Sequence, residues 1–246
     1  MLFPVASTAV AQSPAPVTLH IAAASDLQPI MPAIAAAYEH ATGIKVVASF
    51  GSSATLTQQL LNGDPQDVFL SADYVHPEDL VAHGLADEKV PVPYATGILV
   101  LWARKDSPAQ PLSMDSLTKA GVTRIAVAND LHAPYGMAAT AVIKRLGLTE
   151  KLAPKLVVAE NVMQTAQFAE SGNAQAALIS LTIASSVHFA EVGSFVRFPM
   201  IYPKIQQCAV VLKASKNQTL AHDFVHWLTS DAVQKNLHTF GLEPAS

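Results

Sequence analysis

The chain has 246 residues, half of them apolar and 14% charged, with a formal net charge of −4. That is enough for one large or two ordinary domains with a sizeable core, and the acidic balance argues against nucleic acid as a partner. No apolar run in it reaches the length of a membrane span, and the single cysteine, Cys208, excludes a disulfide framework.

The first 16 residues, "MLFPVASTAVAQSPAP", are small and apolar before turning into a Pro/Ser/Gln stretch. Ala9-Val10-Ala11 fits a signal-peptidase site, with Gln12 as the first mature residue, although the charged start of a signal peptide is missing. Val17 to Ala24 is a β-rich run. Leu27, Ile30, Met31, Ile34, Ala35 and Tyr38 follow at helical spacing, and Gly43 ends that pattern. Lys45 to Phe50 is a second strand, the helix of "SSATLTQQLLNG" comes next, and "DVFLSA" (67–72) is a third strand. This β-α-β-α-β order predicts a parallel sheet with helices on its faces.

"GILVLWA" (97–103) and "RIAVA" (124–128) read as strands, and "NDLHAPYG" leads into a helix from about Gly136 to Leu146. "LVVAE" (156–160) is a strand before a helix from about Val162 to Glu170, and "AALIS" (176–180) a buried strand before a helix over about 182–190. "QCAVVLKA" (207–214) is a strand, and residues 219 to about 238 read as one helix. Two α/β series in tandem predict two lobes. Composition shifts near "VPVPYATG" and "FPMIYPK" place the first lobe at 17–97 and 205–246 and the second at 98–204.

Four strand-to-helix junctions look alike: "AAASDL", "FGSSAT", "APYG" and "AENV". In α/β sheets ligands sit beyond the carboxyl ends of the strands. Each junction offers unpaired backbone N–H groups at the positive end of a helix dipole, which binds an anion without a charged side chain. Ser25, Ser52, Ser53 and Tyr135 add hydroxyls there. A site made only of donors favours a fully deprotonated tetrahedral dianion, because an anion that keeps a proton needs an acceptor. The simpler role for any one of these serines is an N-cap.

The segment "IAAASDLQPIMPAIAAAYEHATGIKVVASFGSSATLTQQLLNGDPQDVFLSAD", followed in order by "APYG" and "AENV", resembles the periplasmic molybdate-binding proteins of ABC transporters over essentially the whole mature chain. The resemblance implies a two-lobed type II periplasmic binding protein, mostly parallel sheets flanked by helices, with the ligand in the interlobe cleft. It implies molybdate or tungstate as ligand, no cofactor, no enzymatic activity, a membrane permease as partner, and a monomer in the periplasm. Carried over residue by residue, the oxyanion contacts fall on Ser25, Ser53, Tyr135 and Val162, the last two through their backbone. Many members carry a tyrosine where this chain has Ser180. Tyr135 is the expected replacement as hydroxyl donor, with Ser52 and Ser180 as further candidates.

Other readings compete. Asp64, Asp67 and Asp73 flank an apolar strand and suit turn and cap roles better than a metal or acid–base cluster. "HDFVH" (222–226) has the spacing of a zinc-binding helix, but its histidines lie opposite the face of Phe224, Trp227 and Leu228. No residue is expected to ligate a metal cation directly. A serine hydrolase would need Ser25 or Ser53 as nucleophile with His132 as base, yet no Gly-x-Ser-x-Gly elbow is present. Sulfate or another tetrahedral oxyanion is the alternative ligand.

Overall fold

The computed structural model describes residues 17–245, so the leader expected over residues 1–16 lies outside the described residues. In chain order, β1 (Thr18–Ala24) passes through a 3-10 turn at Ser25–Leu27 into α1 (Met31–Thr42), β2 (Lys45–Gly51) into α2 (Ser53–Leu61), and β3 (Val68–Ser71) into α3 (Val75–Ala82). β4 (Val92–Gly97) is separated from β5 (Leu99–Arg104) by Ile98 alone. Next come β6 (Ile125–Ala128), α4 (Pro134–Arg145), α5 (Thr149–Leu152), β7 (Leu156–Ala159), α6 (Val162–Glu170), β8 (Ala176–Ser180), α7 (Leu181–Ala184), α8 (Val187–Val192) and β9 (Gly193–Arg197). The chain then returns through β10 (Ile205–Val211), α9 (Gln218–Leu228), α10 (Asp231–Gln234) and β11 (Glu243–Pro244).

These strands make two sheets, ordered β11-β4-β10-β3-β1-β2 and β7-β6-β8-β5-β9, one in each lobe. β1 pairs in parallel with both β2 and β3, as the β-α-β-α-β order requires. The α/β two-lobed class holds, but the sheets are mixed rather than mostly parallel. β10 runs antiparallel to β3 and β4, and β5 antiparallel to β8 and β9. The reason is the interlobe connection. A chain that leaves one sheet and returns inserts strands that did not arise from right-handed crossovers, and nothing forces them parallel.

Local chemistry explains the principal elements. α1 ends at Gly43, whose φ of 77° is the left-handed cap a side chain would resist. α2 is capped by Ser52, whose hydroxyl accepts the Thr55 N–H. In the first lobe Tyr38 meets Phe224 edge-on at 5.1 Å, which pins α1 to α9 on the same face of the sheet. In the second, Trp102 is fully buried and donates its indole N–H to the Phe189 carbonyl. Among the described residues no helix is long and apolar enough to cross a membrane.

Several elements differ from expectation. The C-terminal helix expected over 219–238 breaks after Leu228, where Ser230 opens the short α10. The helix expected over 182–190 is split into α7 and α8 at Ser185–Ser186. α4 begins at Pro134 rather than Gly136. The acidic residues fill structural roles: Asp67 accepts the His20 N–H and the Ser215 hydroxyl, and Asp73 accepts the Ser71 hydroxyl and the His76 N–H at the head of α3. His222 lies 2.9 Å from Asp87, and among the described residues no cluster of His, Cys, Asp and Glu could hold a metal ion.

Candidate functional site

A small cavity of about 10 Å³ lies between the lobes, beyond the carboxyl ends of β1 and β2 and against the starts of α4 and α6. Ser25, Ser52, Ser53, Tyr135 and Val162 all line it, so four junctions distant in sequence meet at one point. No lysine, arginine or histidine is among its lining residues. Its volume is far below the roughly 300–1,000 Å³ usual for sites that hold organic ligands.

Each helix start delivers a different backbone group. In the first turn of α2, the Ala54 N–H donates across the cleft to the His132 carbonyl and the Thr55 N–H to the Ser52 hydroxyl. These two contacts leave the Ser53 N–H over. In α4, Pro134 at the first position has no N–H, so Tyr135 supplies the first one. In α6, the side chain of the N-cap Asn161 takes the Gln164 N–H, while Val162 stands at the first position. First-turn N–H groups have no intrahelical partner, so these point their dipoles toward the cavity end of each helix.

The side chains divide by role. Ser53 is 1% exposed, and its hydroxyl oxygen accepts the Ala72 N–H, which leaves its own proton to donate elsewhere. Ser25 lines the cavity at 4% exposure. Ser52 donates to Thr55 Oγ1 and is an N-cap that also borders the cavity. Ser180 is not brought to the cavity wall: it caps α7 and pairs with the Thr182 hydroxyl at 2.7 Å.

Two expectations need correction. The Tyr135 phenol, expected as a free donor to an oxyanion, is 1% exposed and donates to Asp26 Oδ2 at 3.1 Å. The cause is the fold of α4, which carries the ring inward until its oxygen fills space that a Cβ on Gly97 would need. The second concerns the donor-only character of the site. Asp26 also lines the cavity, so an acid stands beside the donors. Asp26 is fully buried, and burial pushes its pKa up to about 7, against the smaller opposing effect of hydrogen bonds from Gln207 and Tyr135. Gln207 on β10 donates to Asp26 Oδ2 at 2.5 Å. Sequence reasoning missed Asp26 and Gln207 as site neighbours. The one available signal was an acid placed directly after a ligand-type serine in "AAASDL".

The lobes touch around this point. Besides the Ala54–His132 bond, Thr55 donates to Glu160 at 3.0 Å and the Thr182 hydroxyl to the Asp26 carbonyl at 2.7 Å. The arrangement is therefore a closed cleft whose walls come from both sheets.

Residues 19–243 match the family model described as a bacterial extracellular solute-binding protein. The chain belongs to that family. Its members are solute-binding proteins rather than enzymes, which removes the hydrolase alternative. Among the relatives of this solute-binding protein, the molybdate-binding protein ModA of Azotobacter vinelandii is 33% identical over 91% of this chain and 88% of its own length. ModA of Rhodobacter capsulatus is 34% identical over 85% of this chain and 81% of its own. The solved structure of the Azotobacter vinelandii periplasmic molybdate-binding protein superposes with a TM-score of 0.83 at 31% identity, covering 93% of this chain and all of that one.

Proposed function

We propose that this solute-binding protein binds molybdate, and tungstate as an anion of the same charge and shape, in the periplasm and delivers it as a monomer to the membrane permease of an ABC transporter. The observation that carries the reading is the convergence of Ser25, Ser53 and the helix starts at Tyr135 and Val162 on one small cavity without a basic residue. Neutral donors and helix dipoles hold a buried oxyanion well in a low-dielectric site. The Ser25 and Ser53 hydroxyls and the N–H groups of Ser53, Tyr135 and Val162 donate to the anion's oxygens, and no side chain ligates molybdenum itself. The lobes part at Gly97–Ile98 and within residues 198–204, with 17–97 and 205–246 on one side and 98–204 on the other, and they close over the ligand. The relatives named molybdate-binding proteins support this choice over sulfate.

The test is thermal unfolding with molybdate, tungstate, sulfate and phosphate. A ligand bound only by the native state adds about 2.7 kcal/mol at a hundred times its Kd, or a rise of roughly 5–10 °C for a chain of this size. Molybdate and tungstate give that rise, sulfate and phosphate little. Ser53→Asp keeps the fold, since a carboxylate suits a helix start, but loses the rise through repulsion of the dianion. Equal stabilisation by sulfate, or an unaltered rise in Ser53→Asp, overturns the assignment.

A further inference from the structure

Asp26 is a buried acid beside the cavity that the binding scheme above leaves without a task. Its Oδ2 takes two hydrogen bonds, from Tyr135 and Gln207, while its Oδ1 has no partner, and neither has Gln207 Oε1. A buried acceptor without a donor is a costly arrangement. A carboxylate on a residue that lines the cavity also stands near the anion's place, and a unit charge held near a dianion in a poorly polarisable site is strongly repelled. One proton on Asp26 removes both problems, because Oδ1 becomes an O–H donor and the repelling charge disappears.

We propose that Asp26 is a proton-bearing member of the oxyanion site, so that closure on a tetrahedral dianion takes up one proton at this carboxyl. The inference rests on the reading of the ligand as such a dianion. No covalent bond changes. The carboxylate of the free protein gains a proton from solvent, and the resulting acid donates to a ligand oxygen or shares the proton with it. Burial already holds the carboxyl near 7 before the anion's own field acts, and that field raises it further.

The phenols and the thiol nearest Asp26 supply no competing titration between pH 7 and 9; His132, 3.5 Å from Glu160, is an imidazole at the interlobe contact. Tyr135 from α4 and Tyr94 from β4 face Asp26, and burial keeps both phenols well above their usual range. Cys208 on β10 is pushed up to about 12, mainly by burial. Asp73 acts on Tyr94 and Cys208, and Lys204 on Cys208. Of the other elements packed on the turn, α7 holds no titratable residue, and β2 and α6 hold only Lys45 and Glu170, each at the end far from the cavity.

Titration calorimetry with molybdate at pH 8, in buffers of different ionisation enthalpy, counts the protons. Wild type takes up about one, and its affinity falls about tenfold per pH unit from 7 to 9. Asp26→Asn, whose amide can donate in place of the acid, binds with no uptake and a flat profile. Binding by wild type with no proton uptake and no pH slope overturns the proposal, as does an Asp26→Asn protein that keeps the slope. Should Asp26→Asn not fold, the wild-type count decides alone. Absence of any molybdate binding is a different result, and it removes the proposed function itself.

Discussion

At the scale of single residues, Tyr135 shows how a plausible donor can be committed elsewhere. Its hydroxyl is bonded to Asp26 in the heart of the interlobe contact, with Gln207 at 3.3 Å. Tyr135→Phe therefore costs stability rather than acting only on the ligand. Loss of a hydrogen bond to a buried acid amounts to about 1–3 kcal/mol, read as a lower midpoint in urea without ligand. Affinity for molybdate then changes less than stability does, because the contact assigned to Tyr135 is its backbone N–H. The serines were legible in sequence since each sits at a junction whose local pattern already specifies a helix start. Asp26 was not, because its meaning depends on Gln207, 181 positions away, and nothing local marks that pairing.

At the scale of elements, β1 and β3 were readable from apolar runs, the pattern of strands covered on both faces, and β2, an edge strand with no buried residue, from its place between two helical spacings. β4 was not, because Pro91 and Pro93 in "VPVPYATG" resemble a linker; the strand exists because β10 and β11 pair with it on either side. β9, half-exposed along its length beside β5, gave too weak a pattern. The start of α4 was misplaced by two residues since Gly136 looked like a boundary. It lies inside the helix, where a Cβ would come within 2.5 Å of the Ala128 carbonyl oxygen at the end of β6. Gly136→Ala must push α4 off that strand. An overpacking cost of about 1–3 kcal/mol is expected, with a measurable loss of molybdate affinity because the Tyr135 N–H moves with the helix. Denaturant unfolding and calorimetry on the same variant check both parts.

At the scale of the whole molecule, the buried acid sets a pH trend. The Asp26 carboxyl is raised from 3.8 to about 7 in the folded chain by burial. Between those values the native state binds more protons than the unfolded chain, so its contribution makes stability fall as pH rises from about 4 to 7 and then level off. Over that window the loss is about 4 kcal/mol. Asp26→Asn has no such group and should gain on wild type as pH rises from 4 to 7. Urea midpoints of the two proteins at pH 4.5 and 8 test this, and a constant difference between them would sink the idea.

The cavity's division between two lobes also has a kinetic consequence. Ser25 and Ser53 follow strands of one sheet, whereas Tyr135 and Val162 stand in the first turns of helices packed on the other, so each lobe alone holds half of the proposed contacts. Joined as proposed through Ile98 and residues 198–204, halves of this kind act as a bidentate chelator. Once one half holds the anion, the other meets it at a high effective concentration rather than from bulk solution. Residence time then follows the lifetime of the crossings at Ala54–His132, Thr55–Glu160 and Tyr135–Asp26, not the strength of any single donor. A partner that levers the lobes apart turns a slow-releasing protein into a fast-releasing one without ever touching the anion.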